Sequence, residues 1–384
     1  MHSAHFTEEH ELLRAQLHRF VDEVVRPQGE AWEAAGRVPR DVLRRMGDLG
    51  FLGMRHPVEY GGSGADALSS AVLAEELARS TFGGFTVTVL VHTDMASPHL
   101  VGSGTEDQKQ RYLPGIVSGE ILTAVAVTEP DAGSDVAAMR TTARRDGDQW
   151  VLNGAKMFIT NGVSADVVFV AAKTDPKAKG SRGISIFIVE RGAPGFSVGR
   201  KLEKQGWRAS DTAELVFEDC RIPAGSLLGE ENGGFYSIMR NFQNERLVLA
   251  AMAVGEATEA LRLTREYVKT RKAFGATLWD KQVIRQRLSM LESEVEAARQ
   301  LLYHTAWRMS RDLDSVREVS MVKAYAAELV NRVMYDCQQF HGGFGYIQES
   351  AIERMVRDAR VLSIGGGATE VMLEEVAKRS DRDG

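Results

Sequence analysis

The sequence predicts an α+β protein: an N-terminal helical domain at 1–120, a middle β-barrel-like domain at 121–228, and a C-terminal four-helix-bundle domain at 229–384. Three observations lead there. Apolar residues recur at helical spacing at both ends, short β-branched runs replace them in the middle, and the strand–helix alternation that a parallel nucleotide-binding sheet needs is missing. At 384 residues and 43% hydrophobic composition, the chain can bury a large cofactor site.

The first helical stretch runs from Thr7 to about Ala35. Leu12, Leu13, Leu17, Phe20, Val21 and Val24 form its stripe, and Thr7 followed by Glu8, Glu9 and Glu11 makes a helix start. Further helices follow to about residue 118, separated by glycine-rich breaks such as Gly61-Gly62-Ser63-Gly64. The runs TAVAV, QWVLNG, DVVFVAA, GISIFIVE and TAELVFED then read as strands of a mostly antiparallel sheet or barrel, with Gly, Asp, Asn and Pro turns between them. After GEENGG the pattern returns to long helices at about 233–270, 280–309 and 316–340. The run Gly342-Gly343-Phe344-Gly345 follows a helical pattern and does not complete GxGxxG, so a dinucleotide fingerprint fails on context.

Composition narrows the function. A net charge of −6 without a Lys/Arg block disfavours nucleic acid. The two cysteines, Cys220 and Cys337, are far apart and match no disulfide framework or zinc spacing, which suits a reducing compartment. No apolar run approaches the roughly 20 residues of a membrane span. The acidic amphipathic N-terminus reads as neither signal nor transit peptide, so a cytoplasmic location is expected.

Glu245 carries the strongest chemical signal. The stripe Phe235, Ile238, Phe242, Glu245, Leu249 and Met252 advances by three or four residues and sets a carboxylate into an apolar helix face. Its helical neighbours Asn241, Phe242, Val248 and Leu249 carry no cation, so the side chain is expected to be largely buried without a local salt bridge. Burial of an unpaired carboxylate costs several kcal/mol and raises its pKa toward the range of a general base. Neutralisation by a distant cation is the bland alternative. The segment Val127-Thr128-Glu129-Pro130-Asp131-Ala132-Gly133-Ser134-Asp135 is a strand end entering a turn rich in backbone N–H and hydroxyl groups, able to grip an acceptor-rich ligand or to be an ordinary polar turn. Arg271 closes a long helix, where the helix dipole favours a cation with or without a ligand.

Three segments together resemble the acyl-CoA dehydrogenase family over essentially the whole chain: VTEPDAGSD followed by NGAKMFITNG, then RKAFG at 271–275, then QFHGGFGY from Gln339 to Arg357-Asp358-Ala359-Arg360. The resemblance implies FAD as cofactor and α,β-dehydrogenation of an acyl-CoA to a trans-2-enoyl-CoA. It also implies electron transfer to an electron-transfer flavoprotein, and a homotetramer built as a dimer of dimers. By the same resemblance Val127, Thr128, Phe158 and Thr160 lie at the flavin ring. Arg271, Phe274, Gln282, Gln339, Gly342 and Gly343 hold the pyrophosphate and adenosine, partly across a subunit interface, while Ala368, Thr369 and Glu370 are cofactor-adjacent. Ser134, Gln243, Arg246 and Gly367 would contact substrate. The family places its catalytic glutamate in one of two positions. In many straight-chain members the base aligns with Gly366, which has no side chain here. In long-chain and isovaleryl-CoA dehydrogenases it aligns with Glu245 of NERLVLA, so Glu245 is expected to be the base and the Gly366 N–H the donor to the thioester carbonyl. Two departures stand out: Ala368 replaces a usual threonine, and Gln243 an aspartate that many members place near CoA. The expected substrate is a long- or branched-chain acyl-CoA. Same-fold oxidases or monooxygenases that use O₂, and a non-catalytic acyl-CoA-binding member, are the alternatives.

Overall fold

A computed structural model of the chain describes residues 5–178 and 180–380. Helix α1 (Glu8–Phe20) continues through a π turn at Val21–Val25 into α2 (Arg26–Ala35). Gly36 ends it in the left-handed region (φ +64°), the usual stop for a helix because glycine carries no Cβ penalty there. Helices α3 (Arg40–Asp48), α4 (Ala67–Ala78), α5 (Gly83–Leu90), α6 (Pro98–Ser103) and α7 (Glu106–Val117) complete the block. Helix α4 is buried along its whole length, and Asp66 caps it by accepting from the Ser69 N–H.

The middle block is a sheet in the order β6-β7-β3-β2-β4-β5-β8, with β1 paired to β4 off that path. Its strands are β1 (Thr123–Ala126), β2 (Thr142–Asp146), β3 (Gln149–Thr160), β4 (Val167–Lys173), β5 (Ile184–Glu190), β6 (Phe196–Lys201), β7 (Thr212–Pro223) and β8 (Leu227–Leu228). Pairing is antiparallel except where β4 meets β1 and the start of β2. Strands β4 and β5 are buried on both faces, which is why DVVFVAA and ISIFIVE read as nearly unbroken apolar runs. Val168, Val170, Phe187 and Val189 join the core inside the sheet. Val167, Phe169, Ile186 and Ile188 pack outward against Leu113, Ile116 and Ile238.

The last block begins with α8 (Gly234–Thr270), a 37-residue helix. A small hairpin, β9 (Lys272–Ala273) and β10 (Ala276–Thr277), leads to α9 (Gln282–Met309) and α10 (Val316–His341). Helices α11 (Ala351–Ala359) and α12 (Thr369–Ser380) close the chain. Helix α8 is the spine, sharing one core with α4, α9 and α10. At Gly255 it comes so close to α4 that a Cβ would stand 2.5 Å from the Glu75 carbonyl oxygen. No helix among the described residues is long and apolar enough to cross a membrane.

One charge sits awkwardly in this core. Glu256 of α8 is 2% exposed, and neither carboxyl oxygen has a hydrogen-bond partner among the described residues. Burial and then the like charge of Asp358 hold its pKa well above the ordinary glutamate value. Asp358 itself is raised to about 7 by burial, with Glu33 adding and the Trp207 and Gly83 N–H groups opposing. Both groups prefer the protonated form in the folded state. Their favourable contribution is complete below the ordinary carboxylate range and is lost as pH rises through the raised values. Glu256→Gln keeps the shape and cannot ionise, so its melting temperature should fall less than the wild type's from mildly acidic to mildly alkaline buffer. Parallel curves in thermal unfolding would sink this account.

Candidate active site

Glu245 lies near the middle of the α8 stripe, between Ile238 and Phe242 on one side and the buried Leu249 and Met252 on the other. The residue keeps partial solvent access, so it is less enclosed than its stripe predicts, because a turn of glycines rather than bulky side chains faces it. Burial nevertheless raises its pKa above 4.5, with the charges of Arg246 and Lys323 opposing. Among the described residues its carboxylate forms no hydrogen bond and no ion pair. The absence of a cation at helical spacing holds. The nearby positive charges come instead from the next residue and from α10.

The facing turn is Gly365-Gly366-Gly367, between a 3₁₀ turn at Arg360–Ser363 and α12. Gly366 has φ +62° and Gly367 φ +95°, where a side chain is strained. A Cβ on Gly366 would stand 2.2 Å from Leu249 Cδ1 and 3.1 Å from Glu245 Oε1. The vacated loop position and the helical carboxylate are thus brought into contact. The Gly366 N–H meets no acceptor among the described residues, leaving a free donor beside Glu245. Around the turn, Gly365 N–H donates to the Val361 carbonyl at 2.8 Å, and Met372 N–H to that of Ala368 at 3.0 Å. The Thr369 hydroxyl donates to Glu328 Oε1 at 2.6 Å. Glu370 is exposed in the first turn of α12. Arg246 is 7% exposed with an unpartnered Nε, and the charges of Glu245, Glu375 and Arg379 reach it. Gln243 turns back on its own helix, donating to the Met239 carbonyl at 3.2 Å.

A second group comes from the sheet. Glu129 and Ala132 exchange backbone hydrogen bonds and close the turn after Thr128, which leaves Ser134 exposed beyond it. The Thr128 carbonyl accepts from Met157 N–H at 2.9 Å, joining the turn to β3. There a bulge between Lys156 and Ile159 places Phe158 at φ +62° with its ring 65% exposed. Strain of this kind persists where the surroundings enforce it, often beside ligands. Val127, Thr128, Phe158 and Thr160 thereby share one corner. What enforces it is an ion pair that sequence reading missed: Lys156 Nζ, fully buried, donates to Glu129 Oε1 at 2.8 Å and to the Val127 carbonyl at 3.0 Å. Glu129 also accepts from the Arg140 and Thr141 N–H groups. Burial alone would raise Glu129, but Lys156 and these bonds win and hold it below its ordinary value.

The third group lies at the far end of α8. Arg271 follows the helix, and Phe274 tips the β9–β10 turn with φ +53° and 97% exposure. Tyr267 stacks on His341 with ring centres 4.4 Å apart and donates to its carbonyl, which draws the Gly342-Gly343 segment to the same end. Gln282 and Gln339 are exposed at the adjoining ends of α9 and α10. Twenty-six residues separate Glu245 from Arg271 along the helix, so the first and third groups are roughly 39 Å apart. A cleft of about 180 Å³ with mixed polar and apolar walls opens on the neighbouring face of α8, lined by Arg55, Asp94, His99, Val101, Arg240 and Asn244 among others.

A desolvated carboxylate facing a free backbone N–H suits removal of a proton next to a carbonyl, with the N–H steadying the developing oxyanion. The comparisons agree. Family models described as the acyl-CoA dehydrogenase N-terminal, middle and C-terminal domains match residues 7–120, 124–220 and 232–380. The chain is 43% identical to the mitochondrial long-chain specific acyl-CoA dehydrogenase of Mus musculus, over 97% of this chain and 87% of that protein. It is 39% identical to the mitochondrial isovaleryl-CoA dehydrogenase of Pongo abelii, over 98% and 90%. An acyl-CoA dehydrogenase from Geobacillus kaustophilus superposes with TM-score 0.95 at 42% identity, covering 99% of this chain and all of that one. A glutaryl-CoA dehydrogenase from Mycobacterium smegmatis, in complex with FADH2, does so with TM-score 0.92 at 30% identity, covering 98% and 95%. The chain belongs to the acyl-CoA dehydrogenase family.

The buried pair can be tested directly. Lys156→Met leaves the Glu129 carboxylate enclosed with no cation, and should cost about 3–5 kcal/mol in denaturant unfolding. A loss well under 1 kcal/mol would mean that the pair does not hold the Thr128 turn.

Proposed function

We propose that this acyl-CoA dehydrogenase oxidises a long- or branched-chain acyl-CoA to the trans-2-enoyl-CoA, with Glu245 as the base and the Gly366 N–H as a donor to the thioester carbonyl. The observation that carries the reading is the closeness of the two: an unpaired carboxylate raised by burial, next to a glycine whose N–H is free among the described residues and where a side chain would press on Leu249. Glu245 accepts the α-proton on its carboxylate, and the Gly366 N–H bonds the carbonyl oxygen as it gains charge. Arg246 supplies nearby positive charge. Ser134, Gln243 and Gly367 lie on the path proposed for the rest of the thioester.

The residues present fit FAD. An exposed, strained Phe158 ring next to Thr128 and Thr160 offers a platform for an aromatic ring system. At the other end, a Cβ at Gly342 or Gly343 would meet nothing within 4 Å, leaving the backbone open to close approach beside the exposed Arg271. When bound, FAD supplies the acceptor for the β-hydrogen as hydride. Ala368, Thr369 and Glu370, at the start of α12, belong to the cofactor site by the same reading. A separation of roughly 39 Å along α8 exceeds an extended FAD molecule. Arg271, Phe274, Gln282, Gln339, Gly342 and Gly343 therefore serve the cofactor of a second subunit, within a homotetramer. This reading divides the chain at 1–120, 121–228 and 229–384 and passes the electrons to an electron-transfer flavoprotein. The 43% and 39% identities to the long-chain and isovaleryl relatives support the substrate class.

Anaerobic titration with a panel of acyl-CoAs, followed by loss of oxidised flavin absorbance, should show reduction by long or branched chains. Glu245→Gln should retain flavin and lose turnover by about 10²- to 10⁴-fold. Because burial raises Glu245, wild-type kcat/KM should fall on acidification from a point above 4.5. Near-normal turnover in the flavin-loaded variant would refute the assignment of the base. The shared cofactor site has its own test. Mixed oligomers of inactive Glu245→Gln and inactive Arg271→Gln chains should regain activity, since one site in each mixed pair then has both residues intact. No recovery in verified mixed oligomers would mean that Arg271 acts within its own subunit.

A further inference from the structure

Lys323 occupies a position on α10 where helical periodicity calls for an apolar residue. Val319, Val322, Ala326, Ala327 and Val330 around it are all buried, and Lys323 itself is 1% exposed. Burying an ammonium costs several kcal/mol unless its partners compensate. No carboxylate lies within ion-pairing distance of it among the described residues. Its Nζ donates instead to the carbonyl oxygen of Gly367.

That acceptor is informative. Three consecutive glycines have no side chains with which to fix their own orientation, and two of these sit in the left-handed region. Among the described residues, backbone bonds hold the turn only at its ends, at Gly365 and Ala368. Rotation of the peptide units between them would re-aim the Gly366 N–H. Among the described residues, the Lys323 ammonium supplies the hydrogen bond between those ends.

We propose that Lys323 is a positioning residue of the active site: it clamps the Gly367 carbonyl so that the Gly366 N–H stays aimed at the thioester oxygen, and it presents a positive charge to Glu245 across the same turn. The inference rests on the reading of Glu245 as base. The charges facing this region come from three helices. Arg246 on α8 and Lys323 on α10 act on Glu245, Glu328 and Glu370 act on Lys323, and Glu375 and Arg379 act on Arg246. Burial lowers Lys323 to about 8, so the clamp carries its charge at neutral pH and weakens in alkali.

The experiment uses the flavin-loaded full-length enzyme and compares Lys323→Met, Lys323→Gln and Lys323→Arg with wild type and Glu245→Gln. Lys323→Met should lower kcat by about 10²-fold with a much smaller change in KM, the scale of a misplaced reacting group. Its acidic limb of kcat/KM should move to higher pH, because Glu245 has lost a stabilising charge. Lys323→Gln, which keeps a donor without charge, should show the same pH displacement with a smaller loss of kcat. Lys323→Arg should return the limb toward wild type. An unmoved limb in both neutral variants overturns the proposal, as does failure of both to fold with flavin bound, which would make Lys323 a structural residue. If Glu245→Gln itself retains turnover, the base is misassigned, and that outcome is separate from either result at position 323.

Discussion

The close approach of the Gly365–Gly367 turn to the middle of α8 is the constraint on which the site depends. A methyl group at Gly366 would overlap Leu249 Cδ1 unless that side chain shifted, and a φ of +62° would strain it, so the turn packs there as bare backbone. That proximity places a free N–H beside a carboxylate, and both are held by long helices that share the main core. Helix α8 contributes the carboxylate, and α10 contributes the lysine that grips the turn. The proposed catalytic geometry is then a by-product of helix packing, which would make a loop of three glycines dependable.

Buried charge appears in two forms. In the sheet, Glu129 and Lys156 satisfy each other and three backbone groups, so the pair behaves as a structural rivet under the Thr128 turn. Between α8 and α10, Glu245 and Lys323 form no ion pair among the described residues, and Lys323 donates instead to the Gly367 carbonyl. Buried charge without an ion-pair partner marks a candidate functional site. Glu256 is the exception, an unpaired carboxyl in the core to which no such role attaches.

Much of this was legible in the sequence. The helices expected at about 233–270, 280–309 and 316–340 are observed at Gly234–Thr270, Gln282–Met309 and Val316–His341, because long amphipathic stripes are the most robust local signal. The Glu245 stripe pointed to the site for the same reason. Its degree of burial was not legible, since that depends on a glycine turn 120 residues away in the chain. Lys156 and Lys323 were overlooked although each interrupts an apolar pattern; the stripe test that singled out Glu245 would have found Lys323 between Val319 and Ala326. The bulge at Phe158 and the tie between Tyr267 and His341 arise from tertiary pairing, which periodicity does not encode.

The crowding at Gly366 also bears on how such enzymes diverge. The loop and the helix offer two places for a carboxylate, and here the first is filled by a methyl group of Leu249 and bordered by Glu245 itself. A carboxylate added on the loop would press on Leu249 Cδ1 and stand close to Glu245, whose charge would repel it. The loop position and the helix position are thus alternatives for one carboxylate, and filling the first calls for a change at Leu249 and at Glu245 as well.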